Sequence, residues 1–279
     1  MTTTLRPTGP LQRDERGVQS RSYEVCVNGR PVGRTELSTH PTLGPKAGAI
    51  RMLRIDRPDR RRGRGTVAAL AAEEVLRGWG CTQVLTSIAP DATAAQRLAT
   101  ALGYTERGRS MTKALPEQPP ELPAHVVGRP MTEAEYGPWL AQAVDAYAQE
   151  WISRGVPREE ALAKSEADHR ENLPEGLATP GVFIHVLVHD GETVGHVWVG
   201  PREPRFQERG AFVYDVEVVE GRRGQGHGRS LMLLAERVAT GAGMRRIGLH
   251  VFAGNTPALG LYESLGYETT AFNLFKPLL

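Results

Sequence analysis

A glycine-rich segment between a predicted strand and a predicted helix has the composition of a phosphate-binding loop. Its sequence is Glu220-Gly-Arg-Arg-Gly-Gln-Gly-His-Gly228. Glycines let consecutive backbone N–H groups point into one concavity, and the positive end of the following helix also attracts an anion. The segment lacks the Gly-Lys-Ser/Thr ending of a P-loop, and predicted hairpins around it exclude the Rossmann fingerprint. A pyrophosphate cradle and a glycine-rich turn without a ligand both remain open.

Acidic and imidazole side chains on the neighbouring strands have the types needed for proton transfer. Asp215 and Glu217 alternate with Tyr214, Val216 and Val218, which places both carboxylates on one face of a strand. A carboxylate on a strand can accept a proton, and it can equally pair with an arginine. The residues alone leave both roles open.

A histidine, His250, lies on the next predicted strand, at the position that matches the carboxylates Asp215 and Glu217 on their strand. The ordinary pKa of a histidine suits a base near neutrality. A single histidine is also often structural, so its role is left open as well.

The second half of the chain predicts the elements that must position these residues. Apolar, β-branched runs at 182–188 and 193–199 enclose an Asp-Gly pair, which predicts a hairpin, and a third strand follows at 211–219. Helical spacing of apolar residues predicts a helix from Gly228 to Gly241 or Gly243. The remaining predicted elements are a strand at 246–252, a short helix from Asn255-Thr256-Pro257 to Gly266, and two final strands.

The chain repeats itself at an offset of 163 positions. The offset takes one glycine loop onto another, with Arg60, Gly63 and Gly65 matching Arg223, Gly226 and Gly228. Farther along it pairs Leu102-Gly103-Tyr104 with Leu265-Gly266-Tyr267, and Lys113 with Lys276. We therefore predict a first domain at 1–115, a Pro-rich linker at 116–124 and a second domain at 125–279.

The second repeat contains a segment that the first lacks, from Val126 to about Gly181. It predicts a strand and two helices, with a capping box formed by Thr132 and Glu135. Acidic residues outnumber basic ones between residues 150 and 175, which suits a cationic acceptor and is equally typical of a solvent-facing helix.

The first repeat lacks the candidate functional side chains of the second. Positions equivalent to Tyr262, Asn255, His250 and Glu217 hold Ala99, Ala92, Ser87 and Arg54. We expect this half to be structural or a cofactor-binding relic without turnover. Its arginines between Arg51 and Arg64 would also suit another phosphate-bearing partner.

The ordered motifs of the second repeat resemble those of the GNAT superfamily of N-acetyltransferases. They are Arg223-x-x-Gly226-x-Gly228 after a strand, then a further strand, Asn255, Tyr262 seven residues later, and Leu265-Gly266-Tyr267. The resemblance implies an α/β (α+β) fold of two tandem GNAT-like domains, each a mixed, mostly antiparallel sheet flanked by helices. The layout, with a degenerate first half, is also similar to that of mycothiol synthase, although no residue fixes the substrate of that enzyme.

The resemblance implies an acyltransferase that moves an acetyl group from acetyl-CoA to a primary amine of a small molecule by direct attack in a ternary complex. The pyrophosphate of acetyl-CoA would meet the loop residues Arg223, Gly224, Gln225, Gly226, His227 and Gly228. The pantetheine arm would pair with the main chain at Val216 and Val218, and Asn255 would also bind it.

The resemblance also implies roles in proton transfer. Tyr262 matches the general acid of the family, and Glu217 or His250 is the expected base, with no metal ion involved. From the residues alone, Asn255 could instead be a plain helix cap and Tyr262 a packed core side chain.

Composition limits the classes of protein that fit. The 279 residues are 40% hydrophobic and 24% charged, which supports a packed core, and the formal charge of +2 gives no overall field that would attract nucleic acid.

The alternative function is a non-catalytic tandem module that binds acetyl-CoA or nucleic acid as a regulator. We expect a cytoplasmic protein without membrane contact, because the sequence shows no leader, no apolar span and no paired spacing of Cys26 and Cys81. The acceptor and the oligomeric state are left open.

Overall fold

The computed structural model describes residues 2–153, 156–201 and 210–278 of the chain. Its strands are β1 (Thr3–Pro7), β2 (Gln12–Arg13), β3 (Gln19–Val27), β4 (Arg30–His40), β5 (Gly44–Ile55), β6 (Gln83–Ile88), β7 (Thr105–Ala114), β8 (Val126–Pro130), β9 (Phe183–His189), β10 (Glu192–Pro201), β11 (Gly210–Val218), β12 (Arg246–Phe252) and β13 (Glu268–Pro277). Its helices are α1 (Arg64–Gly78), α2 (Thr93–Ala101), α3 (Glu133–Ile152), α4 (Arg158–Asn172), α5 (His227–Gly241) and α6 (Thr256–Ser264). Mixed sheets flanked by helices confirm the predicted fold class.

The chain forms two compact units that are not contiguous in sequence. The first unit contains Met1–Met111, His250–Thr256 and Thr269–Leu279, and the second contains Thr112–Leu249 and Pro257–Glu268. The last strand of the chain therefore belongs to the first unit, and the end of β7 belongs to the second. The boundaries 1–115, 116–124 and 125–279 remain a prediction for the sequence repeats, whereas the compact units exchange segments between those repeats.

The first unit has a mixed sheet in the order β1-β3-β4-β5-β6-β13. A tight turn at Asn28-Gly29, with φ of +48° and +80°, joins β3 to β4, and an Asn-Gly pair is typical of such a turn. β5 and β6 are parallel, and Phe272–Pro277 of β13 pairs antiparallel with β6. Leu278 completes the core around Leu76 and Val84, so the C-terminal segment is an integral part of this unit.

The second unit has a sheet in the order β8-β9-β10-β11-β12. The predicted hairpin is confirmed as β9 and β10, joined at Asp190-Gly191 with φ of +48° and +86°. The third strand, the helix after the glycine loop and the strand at 246–252 are also confirmed. Neighbouring residues of β10 face opposite sides of the sheet, so Trp198 packs against α3 while α5 covers the other face.

One predicted feature of the C-terminus is wrong. The two final strands are a single strand, β13, from Glu268 to Pro277. No glycine lies within this stretch, and its one proline is the last residue, so no turn residue interrupts pairing with β6.

The inserted segment folds as the predicted strand and two helices, β8, α3 and α4. The capping box is confirmed, because Glu135 Oε2 accepts a hydrogen bond from the Thr132 backbone N–H at 2.9 Å. Arg129 adds a bidentate pair to the same carboxylate at 2.8 and 2.7 Å. These bonds, with Arg129 first, lower the pKa of Glu135 from 4.5 to about 2. The start of α3 is therefore fixed by charge-assisted hydrogen bonds.

Candidate functional site

The glycine loop of the second unit presents backbone N–H groups at the start of α5. Gly224 and Gly226 have φ of +77° and +86°, a left-handed conformation that other residues rarely adopt. Gly226 is the N-cap of α5, and the first N–H groups of a helix have no acceptor within it. Arg223, Gly224, Gln225 and Gly226 are exposed. The loop therefore has the conformation, charge and accessibility needed to bind an anion.

Two other residues of the predicted loop, His227 and Gly228, face the protein interior instead of the solvent. A Cβ at Gly228 would lie 3.3 Å from Leu261 Cδ2, so glycine allows α6 to pack closely. The ring of His227 is buried and lies 5.1 Å from that of His189. Burial first, then His189 and Arg222, lower the pKa of His227. Only the backbone of His227 can therefore contribute to the loop surface.

The strand that precedes the loop has an open edge. Val216 and Val218 pair with Val197 and Gly195 of β10. On the other side, the parallel pairing of β11 with β12 covers only Gly210–Val213. In the described ladders of this unit, the backbone of β11 beyond Val213 is therefore open on that side for the pairing predicted at Val216 and Val218.

A β-bulge shapes β11 beside this edge. Trp198 pairs with Asp215 and Val199 pairs with Val213, so Tyr214 is the extra residue. The bulge resets the direction of the side chains that follow. After the bulge, Asp215 lies opposite Trp198, and Glu217 lies opposite a histidine of β10, two residues from Trp198 on the same face.

This histidine, His196, joins the two carboxylates of β11. Its Nε2 lies 2.8 Å from Asp215 Oδ2 and 3.9 Å from Glu217 Oε2. The shared contact confirms that both carboxylates lie on one face. The side chain of His196 is 16% exposed, against 35% for Asp215 and 38% for Glu217. The cluster is therefore shielded at the imidazole and open to solvent at the carboxylates.

His196 was not predicted from the sequence. The available signal was its alternation with Trp198 in a strand adjacent to Asp215 and Glu217. Using that signal requires the register of β10 against β11. The bulge sets this register, and the two-residue periodicity of a strand gives no information about it.

Tyr262 of α6 lies in the same unit with its hydroxyl group protonated at neutral pH. The residue is 7% exposed, and burial first, then the charge of Asp215, raise its pKa to about 12. Its ring lies 5.9 Å from the ring of Tyr267. A neutral phenol near Asp215 can donate a proton and does not compete with the carboxylates for one.

An aromatic side chain of the inserted helix lies beside the imidazole. The ring of Trp139 lies 5.9 Å from His196 and 5.8 Å from Trp198, edge-on to both. Tyr214 stacks on Trp198 at 4.8 Å. Trp139, which was not predicted as a site residue, is the residue of α3 whose ring lies beside His196.

Two predicted site residues belong to the first unit. His250 Nδ1 accepts a 3.4 Å hydrogen bond from Asn273 Nδ2, and its ring lies 4.9 Å from Phe252. The backbone N–H of Asn255 donates to Phe252 O at 3.2 Å, where β12 ends. The structure therefore brings Glu217, Tyr262, Val216, Val218 and the loop together in one unit, and it places His250 and Asn255 in the other.

The first unit keeps the form of the glycine loop. Gly63, with φ of +72°, is the N-cap of α1. Arg60 Nε donates to Ile55 O at 2.7 Å, and its equivalent Arg223 Nε donates to Val218 O at 3.3 Å. The absence of turnover in this unit stays a prediction, and it depends on the buried Ala99 at the position of Tyr262.

The ion pairs beneath the two loops have opposite polarity. Arg30 pairs with Asp59 at 2.7 Å, and Arg64 also contacts Asp59. In the second unit, Arg222 stands at the position of Asp59 and pairs with Glu192, which begins β10 as Arg30 begins β4. The two loops therefore have similar backbone conformations, while the acidic and basic partners of the neighbouring ion pair are exchanged.

Among residues 2–153, 156–201 and 210–278, no group of three His, Cys, Asp or Glu side chains is placed to hold a metal ion. Within those same segments, no helix has the length and hydrophobicity needed to cross a bilayer.

Known proteins resemble this chain over both repeats. The model of the acetyltransferase (GNAT) family matches residues 4–104 and 140–267. The chain is 32% identical to the uncharacterized N-acetyltransferase YycN of Bacillus subtilis, over 53% of the chain and 96% of that protein. It is 29% identical to a mycothiol acetyltransferase of Frankia casuarinae, over 94% of the chain and 77% of that protein.

Solved structures share the fold over most of the chain. A GCN5-related N-acetyltransferase from Sphaerobacter thermophilus gives a TM-score of 0.61 at 18% identity, covering 92% of this chain and 80% of its own. A tandem GNAT protein from the clavulanic acid biosynthesis pathway gives 0.53 at 19% identity, covering 94% and 84%. The second of these shares the tandem architecture.

Proposed function

The chain belongs to the acetyltransferase (GNAT) family and is an acyltransferase, and from this premise we propose that it transfers an acetyl group from acetyl-CoA to a primary amine of a small molecule, by direct attack in a ternary complex. One observation carries the proposal. The His196–Asp215 pair lies in the same unit as a buried, protonated Tyr262, an open strand edge and a glycine loop.

Acetyl-CoA would bind along β11 and the loop. The N–H groups from Gly224 to Gly228 and the guanidinium of Arg223 would hold the pyrophosphate. The open backbone at Val216 and Val218 would pair with the amides of the pantetheine arm. When bound, acetyl-CoA supplies the activated acetyl group as a thioester.

The cluster on β10 and β11 would prepare the acceptor. A primary amine reaches the site as an ammonium ion at neutral pH, and Asp215 and Glu217 attract it. The amine must lose a proton before it can attack, and the imidazole of His196 accepts that proton while Asp215 holds the ring. Glu217 or His250 remains the base predicted from the sequence, and single variants separate the three.

Tyr262 would act in the step in which the thiolate of coenzyme A leaves. A tyrosine is protonated at neutral pH, and the pKa of Tyr262, raised to about 12, leaves it so. It can therefore donate a proton to the sulfur of the departing thiolate.

The acceptor side would be formed by α3 and α4. Tyr214, which is half-buried and stacks on the buried Trp198, gives the cluster an aromatic surface, which suits a cationic amine because ring faces attract cations. A mycothiol-type acceptor is the second candidate, favoured by the similarity to a mycothiol acetyltransferase over 94% of the chain.

The test is thiol release from acetyl-CoA across a panel of polyamines, aminoglycosides, amino acids, peptides and an amine precursor of mycothiol. For the preferred amine, Tyr262→Phe should lower kcat by about 10²-fold or more while binding of acetyl-CoA is retained. Tyr23→Phe, at another buried tyrosine, is the matched control and should leave kcat unchanged. Tight acetyl-CoA binding without turnover of any amine would instead favour the non-catalytic regulatory module.

A further inference from the structure

Two equivalent lysines pair with glutamates from the opposite repeat. Lys113 of β7 donates to both carboxylate oxygens of Glu236 at 2.8 and 2.7 Å. Lys276 of β13 donates to Glu73 at 2.7 Å. The offset of 163 maps Lys113 onto Lys276 and Glu73 onto Glu236. Each repeat therefore supplies the cation for a buried carboxylate of the other.

Both glutamates depend on these lysines. The side chain of Glu236 is 1% exposed and that of Glu73 is 4% exposed. A buried carboxylate is costly unless a cation or hydrogen-bond donors compensate it. Loss of either lysine should therefore destabilise its own unit to a similar degree.

Each lysine also lies over an equivalent tyrosine ring. Lys113 Nζ is 5.7 Å from the ring centre of Tyr267, and Lys276 Nζ is 5.7 Å from that of Tyr104. Burial first, and then the neighbouring glutamate, raise the pKa of each tyrosine. The two units thus contain the same lysine, glutamate and tyrosine triad.

The triads differ in what the tyrosine contacts next. In the second unit the ring of Tyr267 lies 5.9 Å from Tyr262, the proposed proton donor. The position equivalent to Tyr262 in the first unit holds the buried Ala99. Only the triad built on Lys113 is therefore followed by a group that can take part in the reaction.

We propose that Lys113, which the first repeat supplies, is a positioning residue for Tyr262. Its ammonium group neutralises Glu236 and rests on the ring of Tyr267, and that ring in turn fixes the ring of Tyr262. The inference rests on the proposed function, because it assigns a role to Tyr262. It gives the first repeat a part in acetyl transfer although that repeat lacks the candidate catalytic side chains.

The equivalent lysine provides a matched control in the full chain. Lys113→Met and Lys276→Met should lower the melting temperature by similar amounts. Lys113→Met alone should lower kcat, by about tenfold to a hundredfold, because a small displacement of a reacting group has an effect of that size. The KM for acetyl-CoA should be unchanged, and Lys113→Arg should restore most of kcat because it keeps the cation.

A double variant separates positioning from general stability. In the Tyr262→Phe background, Lys113→Met should cause no further loss of kcat, because the hydroxyl that it positions is already absent. An equal loss of kcat in Lys276→Met, or an undiminished effect of Lys113→Met in that background, would overturn the inference.

A milder pair of variants covers the case in which the methionine variants do not fold. Tyr267→Leu and Tyr104→Leu keep both lysine–glutamate pairs and remove the ring on which each lysine rests, and kcat should fall in the first alone. Equal effects of the two would contradict the inference. The single variant Tyr262→Phe tests the proposed function separately. A normal kcat in that variant would contradict the proposed function itself.

Discussion

The imidazole of His196 is held by Asp215, with 2.8 Å between Nε2 and Oδ2. With Nε2 facing a carboxylate, the proton of the neutral ring is favoured on that nitrogen, which leaves the Nδ1 lone pair available as a base. The pairing depends on the bulge at Tyr214, because a regular ladder would shift the residues that follow it by one position.

His196→Gln tests this base. The variant should lower kcat by about 10²-fold at neutral pH, because the ammonium acceptor then loses its proton slowly. The loss should diminish at higher pH, where more of the amine is already neutral. A pH profile of kcat/KM for the amine measures both effects. His185→Gln, in the neighbouring strand β9, is the control, and a larger loss in His250→Gln would place the base there instead.

Asp215→Asn should have a second effect, on Tyr262. The carboxylate contributes, after burial, to the raised pKa of that phenol, which is about 12. Its removal should therefore lower the pKa of Tyr262 toward the ordinary value. Spectroscopic titration of tyrosine ionisation at 295 nm, with Tyr262→Phe to identify the signal, measures the shift. An unchanged titration curve would contradict the electrostatic contact between these two residues.

The glycine loops offer a matched pair of backbone variants. Gly226 has φ of +86° and its equivalent Gly63 has φ of +72°, and nothing lies within 4 Å of a Cβ at either. Alanine at each should therefore cost about 1 kcal/mol of left-handed strain without a steric clash. Gly226→Ala should weaken acetyl-CoA use, measured as kcat/KM at saturating amine, and Gly63→Ala should not. Equal losses would contradict the assignment of the reaction to the second loop.

The start of α3 predicts a pH dependence of stability. The pKa of Glu135 falls from 4.5 to about 2 on folding, so its contribution to stability is complete above pH 4.5 and decreases as the pH falls toward 2. Glu135→Gln should lower the melting temperature at pH 7 and should flatten its dependence on pH in that window. Glu133→Gln, in the same helical turn, is the control. A parallel pH dependence in the wild type and Glu135→Gln would contradict the role of this carboxylate.

Local features of the fold could be predicted from the sequence because short segments encode them. The turn at Asp190-Gly191 needs two positive φ angles, and the capping box at Thr132 and Glu135 needs a spacing of three residues. The helix after the glycine loop follows from its own periodicity. The confirmed α/β class rests on such elements.

The exchange of segments could not be predicted for the opposite reason. The repeats are equivalent, so pairing of Lys113 with Glu73 or with Glu236 satisfies the sequence equally well. Lys276 and Glu73 are 203 positions apart, and no local pattern relates them. The same limit applies to His196, whose partner across the sheet is fixed by a bulge.

Separation of the repeats tests the exchange directly. A fragment of residues 116–279 lacks Lys113 and also Leu115, whose N–H donates to Arg245 O at 2.9 Å. Its Glu236 would be buried without a cation, so the fragment alone should unfold readily and show little acetyl transfer. Co-expression with residues 1–115 should restore a stable, active complex, whereas cleavage of the full chain within 116–124 should leave activity intact. Full activity of the isolated fragment as a monomer would show that the second unit does not need the strand of the first repeat.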